Sequence, residues 1–237
     1  MGDRDKCMEG CMVCGRELVY AARPTAHTCV YCGRQEEAYL YCPAGHYVCD
    51  ACHRQDAIEA IKQICLASDS RDPLFIADAV MDLPFVPMHG PEHHALVPAA
   101  LVAAWANSLG LPKDGLVAEA IKRGGSVPGG VCGRYGACGA GIGVGVGVSV
   151  MLAATPMSGA EWGLANQVTA VALASIGRQG GPRCCKRTTR LALLAAMDFL
   201  RDRQGVTWSG EAPGKKACRH HRRNRQCQLA ACPFYPA

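Results

Sequence analysis

The sequence predicts an α+β fold, with a small cysteine-rich N-terminal module over residues 1–65 and a mainly α-helical domain over residues 66–237. Three observations predict it. Eight of the 16 cysteines fall between Cys7 and Cys52, mostly as CxxC pairs, with short β-type stretches between them. The remainder is built of apolar segments with helical spacing, punctuated by glycine and proline. From Gly139 to Gly147 a glycine occupies every second position. As a strand that run would be weak, for want of side chains to pack. As a helix it puts Gly139, Gly143 and Gly147 on one face with Gly141 and Gly145 beside them, so that neighbouring backbones can approach closely. The domain is therefore expected to form around a buried glycine-rich helix.

The chain has 237 residues, of which 49% are apolar, ample for a core. The first ten residues, MGDRDKCMEG, lack the apolar region of a signal peptide. The low-charge run over 137–156 is mostly glycine and valine without flanking anchors, which reads as a core helix and argues against a membrane span. Paired cysteines in such a chain point to metal or cluster binding in a reducing cytoplasm, not to disulfides.

In the N-terminal module, Cys11-x2-Cys14-Gly and Cys29-x2-Cys32-Gly are zinc-knuckle turns, where the glycine permits the tight turn that aims N–H groups at sulfur. The segment Cys42-x3-His46-x2-Cys49-x2-Cys52 follows, and its order resembles the centre of a RING or treble-clef finger. GRELVY and QEEAYLY read as short strands, and the stretch from Asp50 reads as an amphipathic helix with Ile58, Ile61, Ile64 and Cys65 inward. Eight ligands make two tetrahedral zinc sites. A crossed pairing joins Cys29, Cys32, Cys49 and Cys52, leaving Cys11, Cys14, Cys42 and His46. A sequential pairing takes Cys11, Cys14, Cys29 and Cys32 together, then Cys42, His46, Cys49 and Cys52. The crossed version is preferred because it puts the last pair on the helix start. Cys7-x3-Cys11-x2-Cys14 also matches the spacing of the radical-SAM cluster loop, but the alternating barrel of that family is not evident, and Cys7 reads as a spare thiol.

In the second part, Asp72-Pro73 starts a helix through Met81, broken by Pro84 and Pro87. A loop with His89, Glu92, His93 and His94 leads into a helix expected from about Pro98 to Ser108. A histidine cluster at a loop-to-helix junction suits carboxylate binding or proton transfer. GLVAEAIKRGG reads as a helix ending at Gly124-Gly125. Cys132 and Cys138 precede the glycine-rich helix, Cys138 at its N-terminus, where free N–H groups favour a thiolate. A long helix is expected after Ser158, capped by that residue with Glu161 three positions on, and stopped at Gly180-Gly181. Cys184 and Cys185 sit beside Lys186 and Arg187, ahead of the helix TTRLALLAAMDFLRD. The last segment holds Cys218, Cys227 and Cys232-Pro233, and cysteine followed by proline recurs around iron–sulfur clusters; a third zinc site is the alternative there.

Cys138-Gly-Ala-Gly-Ile-Gly-Val-Gly resembles the GCxAxxGxA segment of iron–sulfur L-serine dehydratases and L-cysteine desulfidases. In order around it, Thr155-Pro156 is similar to that family's T-P turn, and Cys184-Cys185-Lys186-Arg187-Thr188 to its PCxxRN motif. The loop Gly90-Pro91-Glu92-His93-His94-Ala95-Leu96-Val97-Pro98-Ala99-Ala100 echoes GPSSSHTxGPxxAA, with EHHAL in place of SSSHT. The likeness covers roughly residues 88–200. It implies a [4Fe–4S] cluster with an open iron acting as Lewis acid on a small anionic substrate, an amino acid or thiol, in a dehydratase, desulfidase or sulfur-transfer reaction. Cys138 would be a ligand, then Cys184 or Cys185, with Cys132, Cys218, Cys227 and Cys232 competing for the remaining position. His93 or His94 would be the base, and Lys186 or Arg187 would hold the anion. The whole chain also looks like an uncharacterised cysteine-rich family of archaea and anaerobic bacteria, found beside methyltransferase or radical-SAM modules.

Charge adds one more expectation. From Arg178 onward there are 13 Lys/Arg against 3 Asp/Glu, or +10, leaving −5 for the rest of a chain of net +5. Such asymmetry fits neutralisation of an anionic cofactor or substrate, or a nucleic-acid surface. A non-catalytic zinc and iron–sulfur protein that docks on a partner enzyme or a nucleic acid is the rival to the lyase.

Overall fold

The computed structural model describes residues 10–11, 13–14, 16–83, 85–208 and 217–236. Cys7, with its radical-SAM-like spacing, lies outside them. The protein is mixed α and β, mostly helical, and divides into two compact units, Met1–Asp56 and Ala57–Ala237.

The first unit is an antiparallel pair, β1 (Val19–Thr28) and β2 (Gln35–Tyr41), with the start of α1 (Asp50–Ala67). Register runs from Val19 opposite Tyr41 to Thr28 opposite Gln35, with a shift between Tyr20 and Thr25. The first strand thus lies further along than GRELVY, because pairing with QEEAYLY extends through the polar PTAHT stretch. Neither strand carries an apolar buried face, and a bare two-stranded pair is marginal in water. Among the described residues of this unit, those that are buried are all cysteines: Cys11, Cys29, Cys42 and Cys49.

The second unit holds the apolar core. From α1 it takes Ala57, Ile61 and Cys65, all buried. α2 (Pro73–Met81) starts as the sequence dictates, with Pro at its first position and the Asp72 carboxylate accepting from Leu74 N–H at 2.8 Å. α3 (Glu92–Leu109) begins before the expected Pro98, which sits inside the helix. The His94 carbonyl that Pro98 leaves without its helical donor faces α4 (Asp114–Gly125) at Gly124. The short α5 (Val131–Arg134) leads to α6 (Gly139–Met151), the glycine-rich helix, which is buried along most of its length. α7 (Ala160–Gln179) is not capped by Ser158; its N-cap is Gly159, and the Ser158 hydroxyl instead accepts from Thr155 N–H at 3.0 Å. α8 (Cys185–Gln204) starts three residues before the expected threonines, with Cys184 as N-cap. The tail returns through two short 3-10 turns, His221–Arg223 and Leu229–Ala231. Among the described residues no helix is long and apolar enough to cross a membrane.

Glycine sets the packing of α6. A Cβ at Gly143 or Gly147 would press on Val97, Pro98 and Leu101 of α3, and one at Gly139 would enter the His94 ring. On the adjoining face, a Cβ at Gly141 or Gly145 would collide with Leu173 or Thr169 of α7. The two glycine faces therefore admit two helices at backbone distance. At Gly124 a Cβ would meet the His94 carbonyl, Pro98 Cγ at 2.7 Å and Ala95 Cα at 2.9 Å, and backbone atoms cannot step aside. Gly124→Ala should accordingly destabilise the protein by about 1–3 kcal/mol, as overpacking does. Gly163→Ala, in α7 with nothing within 4 Å, should be neutral or mildly stabilising. Thermal unfolding of the two variants, followed by circular dichroism, checks the pair.

Candidate metal centres

The first unit gathers its eight ligands into two sets. Cys11, Cys14, Cys42 and His46 form one, and Cys29, Cys32, Cys49 and Cys52 the other, the ligand atoms of each lying within 4.8 Å of one another. This is the crossed arrangement: each set takes one CxxC turn from before β1 or β2 and a pair of ligands from after β2. The Sγ atoms of Cys14 and Cys42 are 3.6 Å apart, as are those of Cys32 and Cys49, and Cys11 Sγ lies 3.7 Å from His46 Nδ1. Those spacings are far too long for a disulfide and close to the ~3.8 Å edge of a tetrahedron with zinc–sulfur bonds of about 2.3 Å. The turns aim N–H groups at sulfur: Val13 N to Cys11 and Ala44 N to Cys42, both at 3.4 Å, and Cys49 N to Cys29 at 3.3 Å.

The thiols within a set compete for charge. Burial pushes the Cys29 thiol up, but the N–H groups of Cys49, Cys32 and Tyr31 outweigh it and hold it down at about 6. Cys52 is pushed up to about 12, foremost by its contacts with Cys32 and then Cys49. Four sulfurs this close cannot all ionise without a cation between them, and a coordinated metal deprotonates them outright. Both sets can hold zinc or another thiophilic metal, with no position left for substrate, which is the pattern of a structural site.

The helical unit holds the other cysteines, and it separates them. Cys184, Cys218, Cys227 and Cys232 line one cavity, along with Met88, Lys186, Arg187, Arg190, His220 and Phe234. Cys218 Sγ accepts from His220 N and Cys227 Sγ from Leu229 N, both at 3.4 Å and both two residues on, as in the knuckles of the first unit. Leu229 adopts a positive φ of 50°, an uncommon conformation for a branched side chain that the turn imposes. The tail is fastened by Cys218 N to Phe234 O at 2.7 Å and by Gln179 of α7, which donates to Gln228 Oε1 and to Ala231 O, each at 2.9 Å. Among the described residues, the mutual 4.8 Å spacing of a single-ion site is met by the two N-terminal sets; the four tail cysteines line a common cavity without meeting it.

Three buried cations line the same cavity. Arg190 is paired with Asp78 at 2.8 Å and lies 5.4 Å from the Phe234 ring centre. Lys186 Nζ donates to Met81 O, at the C-terminus of α2, at 2.7 Å. Arg187 donates from Nη2 to Gly180 O and Pro182 O, at 3.0 and 2.7 Å, while its buried Nε has no hydrogen-bond partner. Lys186 and Arg187 are thus held by backbone carbonyls, where the sequence expected them to await a substrate anion. Burial pushes the Cys184 thiol up, as do the neighbouring Cys218 and Cys232, against the N–H and the charge of Arg187.

Cys185 turns the other way, because it is the first helical residue after an extended N-cap at Cys184. Its sulfur accepts from Gly90 N–H and lies in the field of Glu92 and Cys138, and burial foremost pushes its thiol up to about 12. The N-termini of α3, α6 and α8 therefore converge. At this junction His93 Nδ1 is 2.8 Å from Glu92 Oε1, both side chains are about 1% exposed, and His93 Nε2 is buried without a hydrogen-bond partner. The His94 ring is seated against Gly139, with Nδ1 3.0 Å from Val127 O. Cys138 belongs to this junction and does not line the tail cavity; Cys132 lies exposed on α5 and lines neither. Spacing alone did not reveal Asp78, Arg190 or His220. The available signal was an acid in the otherwise apolar PLFIADAVM helix, which calls for a buried partner.

The chain belongs to the family of unknown function DUF5714. The family match covers residues 61–235, well over half of the chain and including both the junction and the tail cavity. The two N-terminal ligand sets precede the matched region. No curated protein and no solved structure matches the chain.

Two outcomes follow from the thiol environments. With zinc in the two N-terminal sets, chelation should unfold the first unit, since structural zinc contributes about 10–16 kcal/mol to small domains; the loss of protection in residues 16–53 is read by hydrogen exchange. Alkylation of the native protein near pH 8 should modify exposed Cys132 while sparing Cys65, whose thiol burial pushes up to about 12. Peptide mass mapping before and after denaturation checks that order.

Proposed function

We propose that the helical unit is an iron–sulfur protein, with a [4Fe–4S] cluster held in the tail cavity by Cys184, Cys218, Cys227 and Cys232. One observation carries the reading: four thiols from two separate parts of the chain line one cavity together with buried cations. A four-thiolate donor set suits such a cluster, and N–H groups aimed at the sulfurs tune it. Buried cations are costly unless an anion faces them, and an anionic thiolate cluster supplies that counter-charge beside Arg187, whose buried Nε is unpartnered. Thiols that line one cavity without the mutual spacing of a single-ion site fit a group larger than one ion. When bound, the cluster supplies one-electron transfer. The N-terminal unit, in this reading, is a two-zinc structural module.

A second reading is favoured by the helix junction. The motif order shared with iron–sulfur dehydratases and desulfidases, and the buried Glu92–His93 pair, support a lyase acting on a small anionic substrate such as an amino acid or thiol. There Glu92 orients His93 through Nδ1 and leaves Nε2 to take a proton, while three helix N-termini favour an anion. This reading requires Cys138 as a cluster ligand and leaves one iron without a protein sulfur.

The two readings part at Cys138. After oxygen-free purification and cluster reconstitution, the wild-type chain should hold about four iron and four sulfide, with a broad absorbance near roughly 400 nm. Cys138→Ala should keep that content, and Cys227→Ser should lose most of it while folding is retained by circular dichroism. The reverse pattern would overturn the four-cysteine cluster in favour of the lyase site. A colourless, iron-free wild type after reconstitution overturns both.

A further inference from the structure

We infer that the cluster end of the helical unit is a docking surface for an acidic one-electron carrier protein; the inference rests on the four-cysteine cluster proposed above. The exposed arginines are keyed to the cysteines. Arg183 immediately precedes Cys184, Arg219 follows Cys218, and Arg225 lies two residues before Cys227, with Arg222 in the turn between; all four are exposed. The described tail, residues 217–236, carries four arginines and two histidines but no aspartate or glutamate. Among the described residues, Asp82 reaches it, 3.6 Å from Arg219 and 3.1 Å from His220. The described surface bordering the thiols is therefore predominantly basic.

The exposed set is not needed to balance the cluster. Lys186 and Arg187 do that from inside, where little water screens them, whereas exposed guanidinium groups act weakly on a buried charge. What exposed charges of one sign do well is steer and orient a partner of the opposite sign. Electron-transfer encounters use small, weak contacts of this kind. Cys218, Cys227 and Cys232 are only half-buried, so their sulfurs come near the surface that the arginines border. The reaction served is a one-electron exchange: the reduced carrier loses one electron, the four-cysteine centre gains it, and no bond or proton moves. A nucleic acid would use the same charges, but in the described tail Phe234 is buried and Tyr235 is half-buried and packed edge-on to His221 at 5.2 Å, so no fully exposed ring is offered for bases to stack on.

The test uses the full chain, reconstituted and with its iron counted, against an acidic plant-type ferredoxin as probe. Calorimetric titration at roughly 20 mM and 300 mM salt spans screening lengths from about 20 to about 6 Å. Binding should weaken at least about tenfold between the two salts. The triple variant Arg219→Glu/Arg222→Glu/Arg225→Glu should lose binding to a similar extent at low salt, with iron content and circular dichroism unchanged. A basic cytochrome c should not bind the wild type. Full iron content with no salt-sensitive ferredoxin binding, or binding that the triple variant keeps, overturns the docking inference and leaves the cluster standing. Tighter, variant-sensitive binding of a DNA or RNA oligonucleotide overturns it in favour of a nucleic-acid surface. An iron-free chain overturns the cluster reading and this inference with it.

Discussion

The approach of backbones around α6 is the constraint on which the helical unit depends. A helix with a glycine at every second position through its first nine residues brings little side-chain area of its own, so it contributes by letting α3 and α7 close to backbone distance on two adjoining faces. That closeness fixes where the helices begin. With α3 laid along Gly139, Gly143 and Gly147, the Glu92–His93–His94 turn must end beside Cys138, and α8 brings Cys185 to the same place. The chemistry of the junction is thus a by-product of packing: remove the glycines and the three N-termini no longer meet.

Much of this was legible in the sequence, for reasons tied to local rules. CxxC-Gly turns dictate knuckles whatever surrounds them, and the glycine spacing reads as two helix faces because a period of 3.6 leaves no other use for it. The start of α3 was less legible, since proline normally marks the first turn of a helix and Pro98 stands in the seventh position. It is tolerated because the carbonyl it deprives faces a neighbouring helix at a glycine. Ser158 has the sequence of a cap but spends its hydroxyl on Thr155, an alternative that local hydrogen bonding always offers such residues. The division of adjacent Cys184 and Cys185 between two sites depends on the one residue where extended chain becomes helix, a boundary that sequence patterns place least well. The Asp78–Arg190 pair needed the tertiary structure outright, its partners lying in helices far apart in the chain.

The two units use sulfur in opposite ways. In the helical unit an apolar core exists without the cysteines, and the thiols line the margin of that core beside buried cations. There the charge of the surroundings favours an anion. In the N-terminal unit the thiols of each set face one another, and a bound cation would sit among them. Their opposed tendencies, Cys29 toward thiolate and Cys52 toward thiol, are what a set of ligands looks like when its electrostatics are completed only by a metal.

The burial of Cys11, Cys29, Cys42 and Cys49, and of no apolar side chain among the described residues of that unit, bears on how the chain comes into being. Among the described residues, hydrophobic collapse has little to gather there. The segment precedes the helical unit, and N-terminal regions leave the ribosome first, at about 5–20 residues per second. For those seconds it is a string of reactive thiols whose shape waits on delivery of an ion. With its two ligand sets filled by metal, as proposed above, its maturation would be timed by the cell's metal supply, while the helical unit behind it folds on the ordinary clock of burying carbon.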